Sequence, residues 1–320
     1  MRQGLFVKIN EDKWSGFLSQ LENINNISAD ELSKIYVHLT EDLAYARANY
    51  PGSELVQYLN GLTLKVHNRI YSNKREQKGR FAHYWKYEVP QVLGSSYKYL
   101  FYAFLITMIG VLIGALSAAN DQTFVRLILG DNYVNMTLEN IAKGDPMGVY
   151  DSMGEGFMFF AITLNNIKVA FMAFAMGVFF SVGTGYILFQ NGLMLGVFHY
   201  LFFQQGVFDE NILTIWIHGT LEISAIVIAG AAGLVMGHGL LFPGTYPRTV
   251  SFQRSAKKGL KIVLSLVPFF IVAGFLESFV TRHTEWPLAA KLVIITISAG
   301  IVITYLVILP NLNKYVRTKD

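Results

Sequence analysis

The sequence predicts an all-α, polytopic helical membrane protein with about six transmembrane helices and an N-terminal cytosolic helical lobe. Three observations carry this. Hydrophobic residues make up 52% of the 320, and only 15% are charged, where soluble domains carry about 25%. The charges are concentrated before residue 99. Beyond that point the chain holds apolar runs long enough to cross the roughly 30 Å hydrocarbon core of a bilayer. The absence of cysteine excludes disulfides, thiolate metal sites and a cysteine nucleophile together. A net charge of +4 is better read through loop placement than as affinity for nucleic acid, which is not expected as a partner. The first 30 residues lack an apolar stretch long enough for a cleavable signal peptide.

Residues 1–73 read as the lobe. Trp14, Phe17, Leu18, Leu21 and Ile24 recur at helical spacing over 10–27. Ser28 followed by Glu31 is a capping box that opens a second helix. That helix carries Leu32, Ile35, Leu39 and Leu43 on one face, and Pro51-Gly52 stops it. A third helix aligns Leu55, Leu59, Leu62 and Val66. Three such helices are marginal alone, so docking on the membrane part is expected. Residues 74–98 form an interfacial elbow. In it Lys74, Arg75, Lys78 and Arg80 precede Phe81, Tyr84, Trp85 and Tyr87, a basic and aromatic pattern suited to lipid headgroups. Pro90 is expected to break the segment.

The transmembrane domain covers 99–310, with spans at about 99–119, 167–189, 192–204, 212–242, 260–280 and 288–310. Between the first two lies an extracytoplasmic segment, 120–155, followed by 156–166, which is compatible with a separate half-span. Gly110 and Gly114 form a small-xxx-small pattern that lets helices approach closely. Packing within one subunit is the simpler use of it, and a homo-oligomer contact stays open. Asn191-Gly192 reads as a tight turn, with Gly192 and Gly196 at close contacts around the hairpin. The elbow, the 243–258 loop and the 311–320 tail are basic, whereas 120–155 and 281–287 hold few Lys or Arg. The positive-inside rule then places both termini on the cytoplasmic side.

Six polar residues within or beside the spans form a candidate intramembrane site: Asn165, Asn166, Asn191, His218, Glu222 and Glu277. His218 and Glu222 are four residues apart and share a helix face. Glu222 lies roughly 15 Å along its helix from Ile212, at 1.5 Å per residue, and a carboxylate at that depth marks a functional-site hypothesis. The same face continues through Ala225, Ala229 and Gly233, with Gly230, Gly233 and Gly237 assigned to helix packing, while Ile223, Val227 and Leu234 point towards lipid. Three readings compete: a buried hydrogen bond that fixes register, an ion or proton site, and a metal site. The last would need Glu277 or an Asn beside the pair, and no metal or cofactor is assigned. Glu277, near the end of its span, is expected to reach the interface. Asn165 and Asn166 point about 100° apart, so one caps the second span while the other bonds inward, and Lys168 just beyond them snorkels. No P-loop, His-Glu-x-x-His or Gly-x-Ser-x-Gly pattern is present, and no catalytic residue is assigned.

Taken in order, Asn165-Asn166, Gln190-Asn191-Gly192 with Gly196, His218-Gly219-x-x-Glu222 running into Ala229-Gly230-Ala231-Ala232-Gly233, Pro243, and Glu277 with Thr281 resemble the stage II sporulation protein M family. The resemblance covers about 95–310. Asp42-Leu43-Ala44-Tyr45-Ala46-Arg47, Tyr58-Leu59-Asn60 and His67-Asn68-Arg69-Ile70-Tyr71 look like its longer, non-sporulation-type branch. The resemblance implies an integral membrane scaffold or assembly factor with envelope-associated protein partners and membrane lipids, and no enzymatic activity. In the longer branch the genes tend to lie beside those for AAA-type ATPases and von Willebrand-type proteins. Ile217 stands where many members have proline before the histidine, and the long N-terminal lobe also departs from the short sporulation form. The alternative is a transporter or channel that uses the His–Glu pair.

Overall fold

The structure, a computed structural model, describes all residues except 23–26, 72–79, 149–153, 283–285 and 313–320. Lys74, Arg75, Lys78 and most of the basic tail therefore lie outside the described residues. Among the described residues the chain is helical with no strand, and it divides into two compact units, Met1–Arg80 and Phe81–Asp320.

The first unit is built from α1 (Gln3–Glu22), α2 (Ala29–Asn49) and α3 (Glu54–Tyr71). α1 starts earlier than the stripe from Trp14 indicates, because Phe6 extends its apolar face into the core with Trp14, Leu39 and Leu59. The Trp14 indole donates to Asp42 Oδ2 at 2.8 Å, and Lys13 binds the same oxygen at 2.6 Å. That bond satisfies a buried indole N–H between two helices. The capping box is reciprocal: Glu31 N donates to Ser28 Oγ at 3.2 Å, and Ser28 N donates to Glu31 Oε2 at 3.0 Å. Ile24 lies outside the described residues.

In the second unit α4 (Arg80–His83) passes through a π-helical turn (Tyr84–Glu88) into α5 (Val89–Gly94). Pro90 does not break this segment. It occupies the first turn of α5, where a missing N–H costs nothing, and the chain bends at Ser95-Ser96 instead. Six helices are long and apolar enough to cross a membrane. They are α6 (Tyr97–Asn120), α9 (Glu155–Ala175, extended by a 3-10 turn to Val178), α10 (Val182–Gln204), α11 (Phe208–Leu241), α12 (Arg248–Phe275, continued by a π-helical turn to Thr281) and α13 (Leu288–Ile303, continued to Leu312). α7 (Gln122–Leu129) and α8 (Asp131–Ala142) lie in the connection between α6 and α9.

Two expected boundaries are corrected. The second span runs over 155–178, so 156–166 is its first half and not a separate half-span. The hairpin into the third span turns at Phe179–Ser181, where Phe180 and Ser181 take φ of +53° and +68°. Side chains enter that region only under strain, so nothing in their chemistry announces the turn. Asn191 and Gly192 are mid-helix: Asn191 Nδ2 donates back to Ile187 O at 2.8 Å. Lys168 consequently sits about 20 Å into α9, on an exposed face, rather than at the start of a span.

α11 is the centre of the unit. It packs on α6, α9, α10, α12 and α13, and 78% of its most apolar stretch is buried, against 11% for α13. Leu234 is therefore buried in the core rather than lipid-facing, while Ile223 and Val227 are half-buried. Small residues permit this. Gly230 receives Leu188, Gly233 lies against Ala173 O and Thr184, and Gly237 against Ser181. α6 and α10 meet along a second seam, where Gly110 and Gly114 face Phe189 and Leu193, and Gly192 and Gly196 face Thr107 O and Val111 O. The elbow docks on one end of the bundle. Tyr84 OH donates to Lys261 O at 2.6 Å, Tyr305 OH donates to Trp85 O at 3.0 Å, and Glu88 pairs with Lys261. Trp85 thus packs against the Tyr305 ring, while Arg80 and Phe81 are exposed.

Candidate intramembrane site

Successive turns of α11 place Thr214, His218 and Glu222 on one face. Opposite this face α12 widens into its π-helical turn at Leu276–Thr281, a feature frequent at functional sites. Glu277 and Thr281 turn towards His218: Nδ1 lies 3.0 Å from Thr281 Oγ1, and Nε2 lies 3.9 Å from Glu277 Oε1. Glu277 turns into the protein rather than to its surface, its side chain being only 13% exposed. Ligand-type atoms of His218, Glu222 and Glu277 all lie within 4.8 Å of one another. With α11 beginning at Phe208, Glu222 is about 21 Å along it, deeper than the expected 15 Å and near the helix midpoint.

Glu222 and Glu277 line a cavity of about 830 Å³ together with Asn165, Asn166, Asn191 and Tyr133. Asn166 is buried beside Glu222, with its amide directed at that carboxylate but not closing a full hydrogen bond. Asn165 is exposed at the cavity edge. The lining also includes Met136, Met147, Met158 and Met194, side chains that adapt to varied shapes. The cavity lies towards the end of the bundle that carries α7 and α8, and its last α11 residue is Ile226. Beyond it the Gly/Ala stretch closes the helices onto one another.

All six polar residues singled out in the sequence thus fall in one neighbourhood, with His218 joined through Glu277. Tyr133, Thr214, Thr281 and Lys291 complete it. Burial pushes the Tyr133 phenol up to about 12, and the nearby Glu277 charge adds to the shift. Lys291 Nζ donates to Thr214 Oγ1 at 2.7 Å, one turn of α11 before His218. The signals for these four were faint: Tyr133 at i, i+3 spacing from Met136 in a polar connection, Thr214 four residues before His218, Thr281 four residues after Glu277, and a lone lysine near the start of an apolar run.

A six-span helical bundle whose longest helix carries a His–Glu pair beside a polar pocket is a multi-pass membrane protein. A family model described as Stage II sporulation protein M matches residues 103–282, and the chain belongs to that family. A second model, described as a domain of unknown function (DUF8413), matches residues 4–72. No curated protein and no solved structure matches the chain. The six polar residues and Thr281 all lie within the 103–282 match, whereas Lys291 lies outside it.

Proposed function

We propose that the protein is a non-enzymatic membrane scaffold, an assembly factor that gathers envelope-associated partners in the bacterial cytoplasmic membrane. The observation that carries this reading is the flank of α9. Asn165 and Lys168, three residues apart, are both exposed within a membrane-length helix. An ammonium facing hydrocarbon costs about 3 kcal/mol or more, and the Asn165 amide at the cavity edge beside it offers a partner helix a hydrogen bond. A partner helix that presents a carboxylate or carbonyl to this stripe removes that cost and accepts that bond. A symmetric pair through the same stripe would bring two Lys168 side chains together, which favours a different protein as the occupant. The lobe adds a second recruiting surface: Tyr45 and Tyr58 are exposed beside its core, and Arg47 Nη2 donates to Asn60 Oδ1 at 2.9 Å on the surface.

Charge placement supports the orientation. The end of the bundle bearing the elbow and the α11–α12 loop carries Lys86, Lys98, Arg248, Arg254, Lys257, Lys258 and Lys261, against Arg126, Lys143, Arg282 and Lys291 at the other end. The positive-inside rule makes the first end cytoplasmic. A transporter or channel is the weaker reading, because the close-packed Gly/Ala half of α11 leaves the cavity blind beyond Ile226. Site-specific photocrosslinking in native membranes tests the proposal. A crosslinker at position 168 is expected to capture a protein of defined mass, and one at the exposed Val293 of α13 to capture lipid alone. Lipid adducts alone at both positions would refute the assignment of the α9 flank. Retention of every partner on deleting residues 1–73 would remove the lobe from it.

A further inference from the structure

The geometry points to a divalent transition-metal site formed by His218, Glu222 and Glu277, with its open coordination position facing the cavity. One imidazole nitrogen and two carboxylates make a mixed N/O donor set of the kind that holds Zn²⁺, Fe²⁺ or Mn²⁺ rather than Cu⁺ or an iron–sulfur cluster. The donor atoms already lie within 4.8 Å of one another, and one pair is at 3.9 Å. Metal–ligand bonds of 2.0–2.2 Å bring tetrahedral ligands to about 3.4 Å from each other. Side-chain rotation of roughly 1 Å therefore closes the site without moving a helix.

Three further observations fit this use. When Nδ1–H donates to Thr281 Oγ1, the Nε2 lone pair is turned towards the carboxylates, the arrangement by which an outer partner orients a metal-binding histidine. Two carboxylates at this spacing repel each other in apolar surroundings, and a divalent cation between them neutralises both. Asn166, buried beside Glu222, directs its amide at that carboxylate without closing a full hydrogen bond, and lines the same cavity as both carboxylates. It can donate to a water or anionic oxygen in the open position. Lys291 Nζ donates to Thr214 Oγ1, one turn of α11 before His218. The site stands independently of the scaffold reading: metal binding and partner capture can each fail without the other.

The test uses untagged full-length protein in lipid nanodiscs, stripped with a chelator and titrated with Co²⁺, whose visible absorption reports ligand geometry. One equivalent is expected to bind with tetrahedral or five-coordinate d–d bands and to be displaced by Zn²⁺. His218→Gln, Glu222→Gln and Glu277→Gln should each weaken binding at least tenfold. Thr281→Val, a positioning change, should weaken it about tenfold and shift the spectrum. Elution profile and metal-free thermal unfolding certify each variant's fold. Glu222→Asp, which keeps the carboxylate, serves as the second variant should Glu222→Gln misfold, and is expected to alter the bands rather than abolish them. Absence of a saturable site in the wild-type protein overturns the proposal. So does a site unchanged in folded His218, Glu222 and Glu277 variants, which would be adventitious surface binding only.

Discussion

Gly196→Ala gives the sharpest test of how the membrane unit is packed. A Cβ at Gly196 would stand 2.1 Å from Val111 O and 2.9 Å from Ala115 N, where ordinary contact begins at 3.4 Å. Both neighbours are backbone atoms of α6, so no side chain can swing aside. The two helices must part by about 1.3 Å, and the contacts along the Gly110–Gly114 seam loosen with them. Overpacking of this kind costs about 1–3 kcal/mol, against a gain of roughly 0.5–1 kcal/mol for replacing a helical glycine by alanine. Gly185 lies on the same α10 with nothing within 4 Å of its would-be Cβ, so Gly185→Ala isolates the gain. Unfolding of nanodisc-embedded protein by graded SDS should therefore separate the two variants by about 1–3 kcal/mol, with Gly196→Ala below wild type and Gly185→Ala at or above it. Equal stability of the two variants would refute the α6–α10 seam.

Ser28→Ala removes an N-cap and should weaken the start of α2 by about 1 kcal/mol, read as faster amide exchange in its first turn and unchanged exchange in α11. Lys261, donating to Glu88 and adding its charge, holds the Glu88 carboxyl below its ordinary range. The elbow docking it provides is thus fully present above the unfolded value of 4.5 and is lost as pH falls below that through the lowered value. Trp85 fluorescence should follow that loss, and Glu88→Gln should flatten it; an unchanged acid limb in Glu88→Gln would count against the contact. For Tyr133, the absorbance titration of wild type minus Tyr133→Phe should show a midpoint near pH 12. Because the folded value lies above the unfolded 10, stability from the buried phenol is complete below pH 10 and is lost as pH rises through the folded value. A midpoint near 10 would mean that α8 does not cover the cavity.

The lobe was legible in the sequence because each of its signals is local: a 3.6-residue stripe, a capping box, and Pro51-Gly52, where Gly52 takes φ +79°. Hydropathy gave the number of spans for the same reason. Their boundaries failed where one residue type serves two purposes. Asn191-Gly192 has turn chemistry, but Gly192 is small because Thr107 O lies against it, and the real turn at Phe179–Ser181 carries no glycine or proline. The misplaced break also hid the depth of Lys168. In the site, His218 and Glu222 were readable from i, i+4 spacing. The approach of Glu277 depends on how α12 meets α11 and on a π-helical turn, and neither leaves a periodic trace.

α11 changes character along its length, and this change shapes the site. Helices in a bilayer gain little from burying apolar area against one another, so close backbone approach through small residues does most of the holding. From Ala225 to Gly239 eight of the fifteen residues are alanine or glycine, interrupted by Ile226-Val227-Ile228, Leu234-Val235-Met236 and His238, and α9, α10 and α12 close onto it. Towards its start the side chains become Glu222, Leu221, His218 and Trp216. Helices held tightly at one end and spaced by bulkier residues at the other must diverge, and the cavity occupies that divergence. Its polar lining is then affordable because the dry half supplies the packing. A carboxylate moved from position 222 to position 229 would fall among backbone atoms with no cavity beside it. The carboxylate therefore stands at the level where the helices begin to part, with Asn166, Asn191 and Glu277 lining the space that opens there.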